Sequence, residues 1–339
     1  MGWQPEGDRQ MKKADVAVWL MGMGGECQRK QLEMIAEGRY VEKILTGLTD
    51  KRLIRKKNRD GWKGYRLTKK GYGYYEERFG EPPVRYDTVR KEVAVRKRLR
   101  MYRNVYGMLM AYRTGFGIYN TNPFYQKEQG YYPVIAYQEN LNEDIRSSRM
   151  SGYLVAGKRG YMVYELLDQD ILFRRSVEER TAEIHRLYER KSESNALLLS
   201  DDFSVADKIL SRGSNGNGKS RIGLEPFFSH MYYYPHTADG FTELKFLLYP
   251  ERIRKLEKEL KSLIVSRAGS YAVMEGLDEE GAEIYFLFAP DLKKMGRMRA
   301  EIIPERKSRI FTLSFLAEFV ERHFPHSEIF PFDEAKLPE

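Results

Sequence analysis

At 339 residues the chain is long enough for two or three folding units. Its 42% apolar residues, 24 Tyr and 17 Phe exclude a disordered tail. A single cysteine, Cys27, excludes an internal disulfide framework and a cysteine-based zinc site and is expected to pack as a small apolar residue. No apolar run reaches membrane-spanning or signal-peptide length, so the expected setting is a soluble, cytoplasmic protein with no membrane partner. The net charge of +9 is uneven: residues 1–113 carry 27 Lys/Arg against 14 Asp/Glu, and the remainder is mildly acidic. A basic third joined to an acidic remainder points to an end that binds a polyanion.

In chain order, Val16, Trp19 and Leu20 fall at helical spacing within 12–22, before the break MGMGGE. A second helix is expected over 28–38, with Leu32, Ile35 and Ala36 on one face. After Gly38 a third, 39–50, places Val41, Ile44, Leu45 and Leu48 at i, i+3, i+4 and i+7. Leu53 and Ile54 begin an extended run, Asp60-Gly61 marks a hairpin turn, and Tyr65-Arg66-Leu67 returns. Thr68 is the expected N-cap of the next helix, TKKGYGYYEERFG.

The order LTDKRLIRK…GYRLTKKGYGYYEERFG, within residues 10–80, resembles the winged helix-turn-helix family, in which a basic two-stranded wing follows the second helix of the motif. The residues support the same chemistry. Opposite its apolar face, helix 39–50 presents Arg39, Tyr40, Lys43, Thr46 and Gly47: donors for base edges or phosphates, and small residues that permit close approach. The wing from Lys51 to Lys70 holds ten basic residues and one acid, Asp60. Such a wing gives strong, salt-dependent affinity with little sequence information. The expected DNA contacts are Arg39, Tyr40, Lys43, Thr46, Arg55, Lys56, Lys57, Arg59, Trp62, Lys63, Arg66 and Lys69. Trp62 either meets the nucleic acid or braces the hairpin.

After Glu81-Pro82-Pro83, residues 84–113 read as one long basic helix, with Val89, Val93, Leu99, Tyr102, Tyr106 and Leu109 as an apolar stripe. Its basic side chains either extend the DNA footprint or form the solvated face of a connector over 81–114. From 115 the texture changes. Strands are expected at 131–137, 152–157, 161–166, 196–199, 231–234, 271–274 and 282–289, and helices at 176–190, 202–212, 240–248, 250–265, 290–300 and 313–323. No internal repeat is visible. The fold class expected is α+β: a winged helix over 1–80, the connector, and one mixed α/β domain over 115–339.

The phrases SSRMSGYLVAGKRGYMVYELLDQDILFRRSVEER and NALLLSDDFSVADKIL…HMYYYPHTADGFTELKFLLYPE, downstream of a winged helix, resemble the replication-relaxation proteins of Gram-positive plasmids and integrative elements. That resemblance implies a restriction-endonuclease-like C-terminal domain, and DNA binding tied to replication or mobilisation; transcriptional control is a further role open to a winged helix. Double-stranded DNA is the expected partner, with a second copy of the chain or replication and transfer proteins as further candidates.

Three enzymatic alternatives are weighed. A metal-dependent nuclease would need a Glu-x-Lys on a strand, and Glu243-Leu244-Lys245 reads better as helix, with Asp201, Asp202, Asp207 or Asp239 poorly spaced as the first acid. The five histidines match no zinc pattern and are expected to be structural or surface groups. The stretch GSNGNGKS satisfies the phosphate-loop pattern at Gly213, Gly218, Lys219 and Ser220, which keeps a nucleotide hydrolase as an alternative, but no strand enters it and no helix-forming sequence leaves it. No catalytic residue, metal or cofactor is assigned.

Overall fold

The computed structural model describes residues 12–59, 61–89, 95–119, 123, 128–137, 147–167, 172–189, 193–213, 219–267, 269 and 273–337. Helix α1, Lys13–Gly24, is buried at ten successive positions from Asp15 onward. A helix apolar all round belongs inside a core. Helix α2, Arg29–Leu32, stops after one turn, shorter than the expected 28–38. The side chain of Gln31 fixes the start of this turn and ties it to the core: it accepts from the N–H of Gln28 (2.9 Å) and donates to the carbonyl of Tyr102 (2.8 Å). Ile35 and Ala36 still reach the core, from the turn that follows. Helix α3, Gly38–Asp50, buries Val41, Ile44, Leu45 and Leu48 as its periodicity dictates.

Strands β1, Ile54–Arg59, and β2, Trp62–Leu67, form an antiparallel hairpin turning at Gly61, whose φ of 79° is the left-handed conformation that favours glycine. Cys27, fully buried, exchanges both backbone hydrogen bonds with Tyr65 and so adds one residue of a third strand to the hairpin. Helix α4, Lys69–Phe79, begins at the expected cap: Thr68 Oγ1 accepts from the N–H of Gly71 at 3.1 Å.

The basic stretch 84–113 departs from expectation. After a single helical turn at Tyr86–Val89 comes α5, Val95–Thr114, with Tyr102, Val105, Tyr106, Met108, Leu109, Met110 and Ala111 inaccessible to solvent. It packs against α1 and against the large sheet behind it. It is therefore a central core helix and no solvated connector. Arg98, expected on a charged face, is 1% exposed.

Arg98 is buried because it shares a carboxylate. Glu26, fully buried between α1 and α2, receives Arg66 Nε at 2.6 Å and Nη2 at 2.5 Å, Arg98 Nε at 3.0 Å, and the Tyr102 hydroxyl. A Cβ on Gly64 would collide with this carboxylate, so the hairpin closes over it only with glycine there.

The C-terminal region contains two five-stranded sheets. Sheet one runs β3 (Gly130–Pro133), β4 (Gly152–Ala156), β5 (Arg159–Leu167), β7 (Asn195–Ser200) and β9 (His230–Pro235) in spatial order. A small separate ribbon pairs β6 (Leu172–Arg174) with β8 (Lys219–Arg221). Helix α6, Arg175–Glu189, joins β5 to β7, and α7, Ser204–Arg212, follows β7. Helices α8, Ala238–Leu248, and α9, Glu251–Leu260, lead to sheet two: β10 (Ser266–Arg267), β11 (Gly276–Leu277), β12 (Glu283–Leu287), β13 (Ser308–Leu313) and β14 (Glu328–Phe332). Helix α10, Leu292–Glu301, lies between β12 and β13, and α11, Ala317–His323, between β13 and β14.

Both sheets are ordered antiparallel, antiparallel, parallel, parallel. The single α/β unit expected over 115–339 is thus two sheets of one topology, a repeat in strand order that the side chains do not advertise. The layers follow from burial. Leu154, Val163, Leu197 and Tyr234 face the core shared with α1, α5 and α8. Met162, Leu198 and Tyr233 face a second core in which α7, α10 and α11 meet Tyr285 and Ile310 of sheet two. Ile284, Phe286 and Phe311, on the far face of sheet two, pack on Ile253, Leu256 and Leu260 of α9. Each sheet is covered on both faces, which is why strands such as NALLLS read as unbroken apolar runs.

Local corrections are few. The strand expected at 131–137 ends at Pro133 and continues as a helical turn, Val134–Tyr137. The strand expected at 271–274 falls partly outside the described residues, and β11 lies beyond it. The first residue of the helix expected at 313–323 closes β13, and a 3-10 turn, Ser314–Leu316, precedes α11. No helix among the described residues is long and apolar enough to cross a membrane.

Glu26→Ala leaves two guanidinium groups buried without their carboxylate. It should lower unfolding stability by about 3–5 kcal/mol, measured by urea denaturation; a loss under about 1 kcal/mol would contradict the central place given to this cluster.

Candidate nucleic-acid interface

The apolar side of α3 is spent on the core, so its other side is left to solvent. Arg39, Lys43 and Thr46 are exposed, Tyr40 is 50% exposed, and Gly47 is half-buried with open space above it. Lys13, at the start of α1, holds its ammonium 6.0 Å from the centre of the Tyr40 ring, adding a cation to this face that periodicity did not single out.

In the hairpin, alternation divides the expected contacts into two sets. Lys56 pairs with Tyr65 and Asn58 with Lys63 on one face, where Lys56, Asn58 and Lys63 are exposed. The opposite face carries the pairs Arg55–Arg66 and Lys57–Gly64, with Trp62, and it turns inward. Arg66 is therefore no DNA contact: it is 2% exposed and bound to Glu26. Trp62 is half-buried and stacks on Tyr102 with ring centres 6.0 Å apart, bracing the hairpin on α5. Arg55 and Lys57 are half-buried, and Arg98 Nη2 donates to the Lys57 carbonyl at 3.3 Å. Lys69, in the first turn of α4, is exposed; the Arg59 side chain and Asp60 lie outside the described residues. The exposed residues are fewer than expected: Arg39, Tyr40, Lys43 and Thr46 on α3, with Lys13 near Tyr40, and Lys56, Lys63 and Lys69 on the hairpin and α4.

The enzymatic alternatives lose their geometry. A phosphate loop needs a strand entering and a helix leaving. Here α7 enters at Arg212, Gly213 caps it, Gly218 lies outside the described residues, and Lys219 and Ser220 open strand β8. The frame is inverted. Glu243 and Lys245 sit on α8, so the nuclease pattern is not on a strand. In sheet one a buried carboxylate, Glu165, lies on β5, followed by Leu166 and Leu167 where the pattern wants lysine.

Glu165 belongs to a cluster that the sequence did not reveal. Past the carboxyl ends of the parallel strands, His236 lies between two acids: Nδ1 meets Glu165, and Nε2 meets Asp201 Oδ1 at 2.5 Å. Its ring stacks on Tyr106 of α5 at 3.8 Å, and Asp201 also receives Lys30 of α2 at 3.3 Å. The signals were single polar residues placed in or just after apolar strands: Glu165 in YMVYELL, Asp201 after LLLS, His236 after YYYP. Three other described histidines contact protein side chains. His185 is buried against Tyr153, and burial depresses its imidazole to about 3; His230 and His323 bond Asp291 and Asp207.

Compared with protein-family models, with curated proteins and with solved structures, the chain matches none.

Burial pulls the His236 imidazolium down, but Glu165 and Asp201 outweigh it and raise the group from 6.5 to about 9. A raised pKa contributes stability that is fully present below about 6.5 and is lost as pH rises through about 9. The stability gap between wild type and His236→Gln, followed by urea denaturation at fixed pH values, should therefore narrow from pH 6 to pH 10; a constant or widening gap would refute the assigned ion pair.

Proposed function

We propose that the chain binds double-stranded DNA, with residues 12–80 acting as a winged helix-turn-helix in which α3 enters the major groove and the β1–β2 hairpin is the wing. The observation that carries this reading is the division of α3: four apolar side chains lock it to the core, and Arg39, Tyr40, Lys43 and Thr46 project from the other side. Arginine and lysine at such positions read base edges or phosphates, and threonine and tyrosine add contacts at short range. The outward lysines of the hairpin, Lys56 and Lys63, supply a sequence-independent grip.

The C-terminal α/β region then serves as the platform that carries this face, and a site for protein contacts or assembly. The setting that the family resemblance suggests is a plasmid or integrative element, in replication, transfer or transcriptional control. Catalysis has no part in this reading.

The whole chain is the object to test, because α5 belongs to the cores of both halves. Fluorescence anisotropy with a labelled duplex should show log affinity falling linearly with log salt concentration. Replacing Lys56 and Lys63 together by Ala should reduce that slope by roughly 2, at about 0.9 per phosphate contact. Lys43→Ala should weaken binding as well. Undetectable binding of wild type at low salt would end the proposal.

A further inference from the structure

Helix α2 has only four residues, and three consecutive side chains tie it in three directions. Arg29 Nη1 reaches Glu42 on α3 at 3.0 Å, Lys30 reaches Asp201 beyond β7, and Gln31 donates to the Tyr102 carbonyl on α5. A one-turn helix has little stability of its own, so its orientation is set by these ties.

The tie through Lys30 rests on a built support. Asp201 is partly exposed, and an isolated surface pair of this kind contributes little. Here the carboxylate is fixed by His236 Nε2, and His236 is fixed in turn by the fully buried Glu165 through Nδ1. Lys30 is linked to the same histidine by a second route: its ammonium lies 5.7 Å from the centre of the Tyr106 ring, which stacks on His236. Glu165, Asp201 and His236 come from the ends of three neighbouring strands, so their spacing is set by the sheet. Glu165 and His236 are buried, so charge and hydrogen bonding act strongly between them, and a polar network held in this way favours one arrangement.

We propose that Glu165, His236 and Asp201 are positioning residues for DNA binding: through Lys30 they hold α2, and through Arg29–Glu42 the helix α3, in one orientation relative to sheet one. The inference rests on the DNA-binding reading of α3 and extends it to three residues outside the DNA-facing surface. It also distinguishes Lys30 from the phosphate-contacting lysines, since its charge is committed to Asp201.

The test uses the full chain, a labelled mixed-sequence duplex and the variants Asp201→Asn and Lys30→Met, with a thermal melt of each. Removing an acid from a DNA-binding protein favours a polyanion on electrostatic grounds alone. Positioning gives the opposite sign: Asp201→Asn should weaken binding at least about fivefold, within the range of coupling between distinct sites, with an unchanged salt slope. Lys30→Met, at an exposed position, should cause a similar loss with an unchanged slope, and the double variant should lose little more than either single one. Binding by folded Asp201→Asn as tight as or tighter than wild type would overturn the proposal, as would a slope reduced by about 0.9 in Lys30→Met, which marks a phosphate contact. Failure of wild type itself to bind any duplex would instead remove the DNA-binding reading beneath it.

Discussion

The structure depends on one buried carboxylate. Glu26 is reached by Arg66 from the hairpin and by Arg98 and Tyr102 from α5, so two segments far from it in sequence converge on one side chain. Two guanidinium groups and a carboxylate are costly to desolvate, and their mutual attraction offsets that cost only when the geometry is good and the remaining polar atoms are bonded. The arrangement is better understood as a specifier of position than as a large source of stability. It fixes the hairpin on α5 with Trp62 stacked on Tyr102, and this turns the other hairpin face, with Lys56 and Lys63, toward solvent.

From that constraint follows the relation between the halves. α5 carries Glu26's partners at its start and then passes between α1 and sheet one, so the N-terminal segment and the first sheet share a core. The Lys30–Asp201–His236–Glu165 series joins the same two parts at the carboxyl edge of the sheet, where ligands bind in many α/β proteins. Here that edge is filled by side chains of the chain itself. In the proposed account the N-terminal fold is therefore no detachable reader but a surface whose angle is set by the α/β body.

Much of this was legible in the sequence, for physical reasons that can be named. Val41, Ile44, Leu45 and Leu48 fall on one stripe at the helical period, so both the helix and its outward residues could be read directly. Thr68 and Asp60-Gly61 carry local turn and cap chemistry. Burial of charge was not legible: Arg66 and Arg98 look like their basic neighbours, and only the position of Glu26, 40 and 72 residues away, takes them inside. Strand β13 was missed because SRIFTL mixes Ser308, Arg309 and Thr312 with Ile310, Phe311 and Leu313 in neither a strict alternation nor an unbroken apolar run, and β14 because EIFPF contains Pro331, which a sheet accepts at an edge, where β14 lies. The phosphate-loop pattern misled in the opposite direction. Its fixed residues were all present, but the chemistry resides in a strand–loop–helix frame, and here a helix precedes the pattern and a strand begins at Lys219.

The most direct measurement of the central claim is amide hydrogen exchange of the full chain with and without a duplex. The account predicts that protection on binding concentrates in residues 38–50 and 54–67, with the buried helix 101–111 and sheet two unchanged. Protection centred on sheet two and its helices, with 38–67 unaffected, would contradict it.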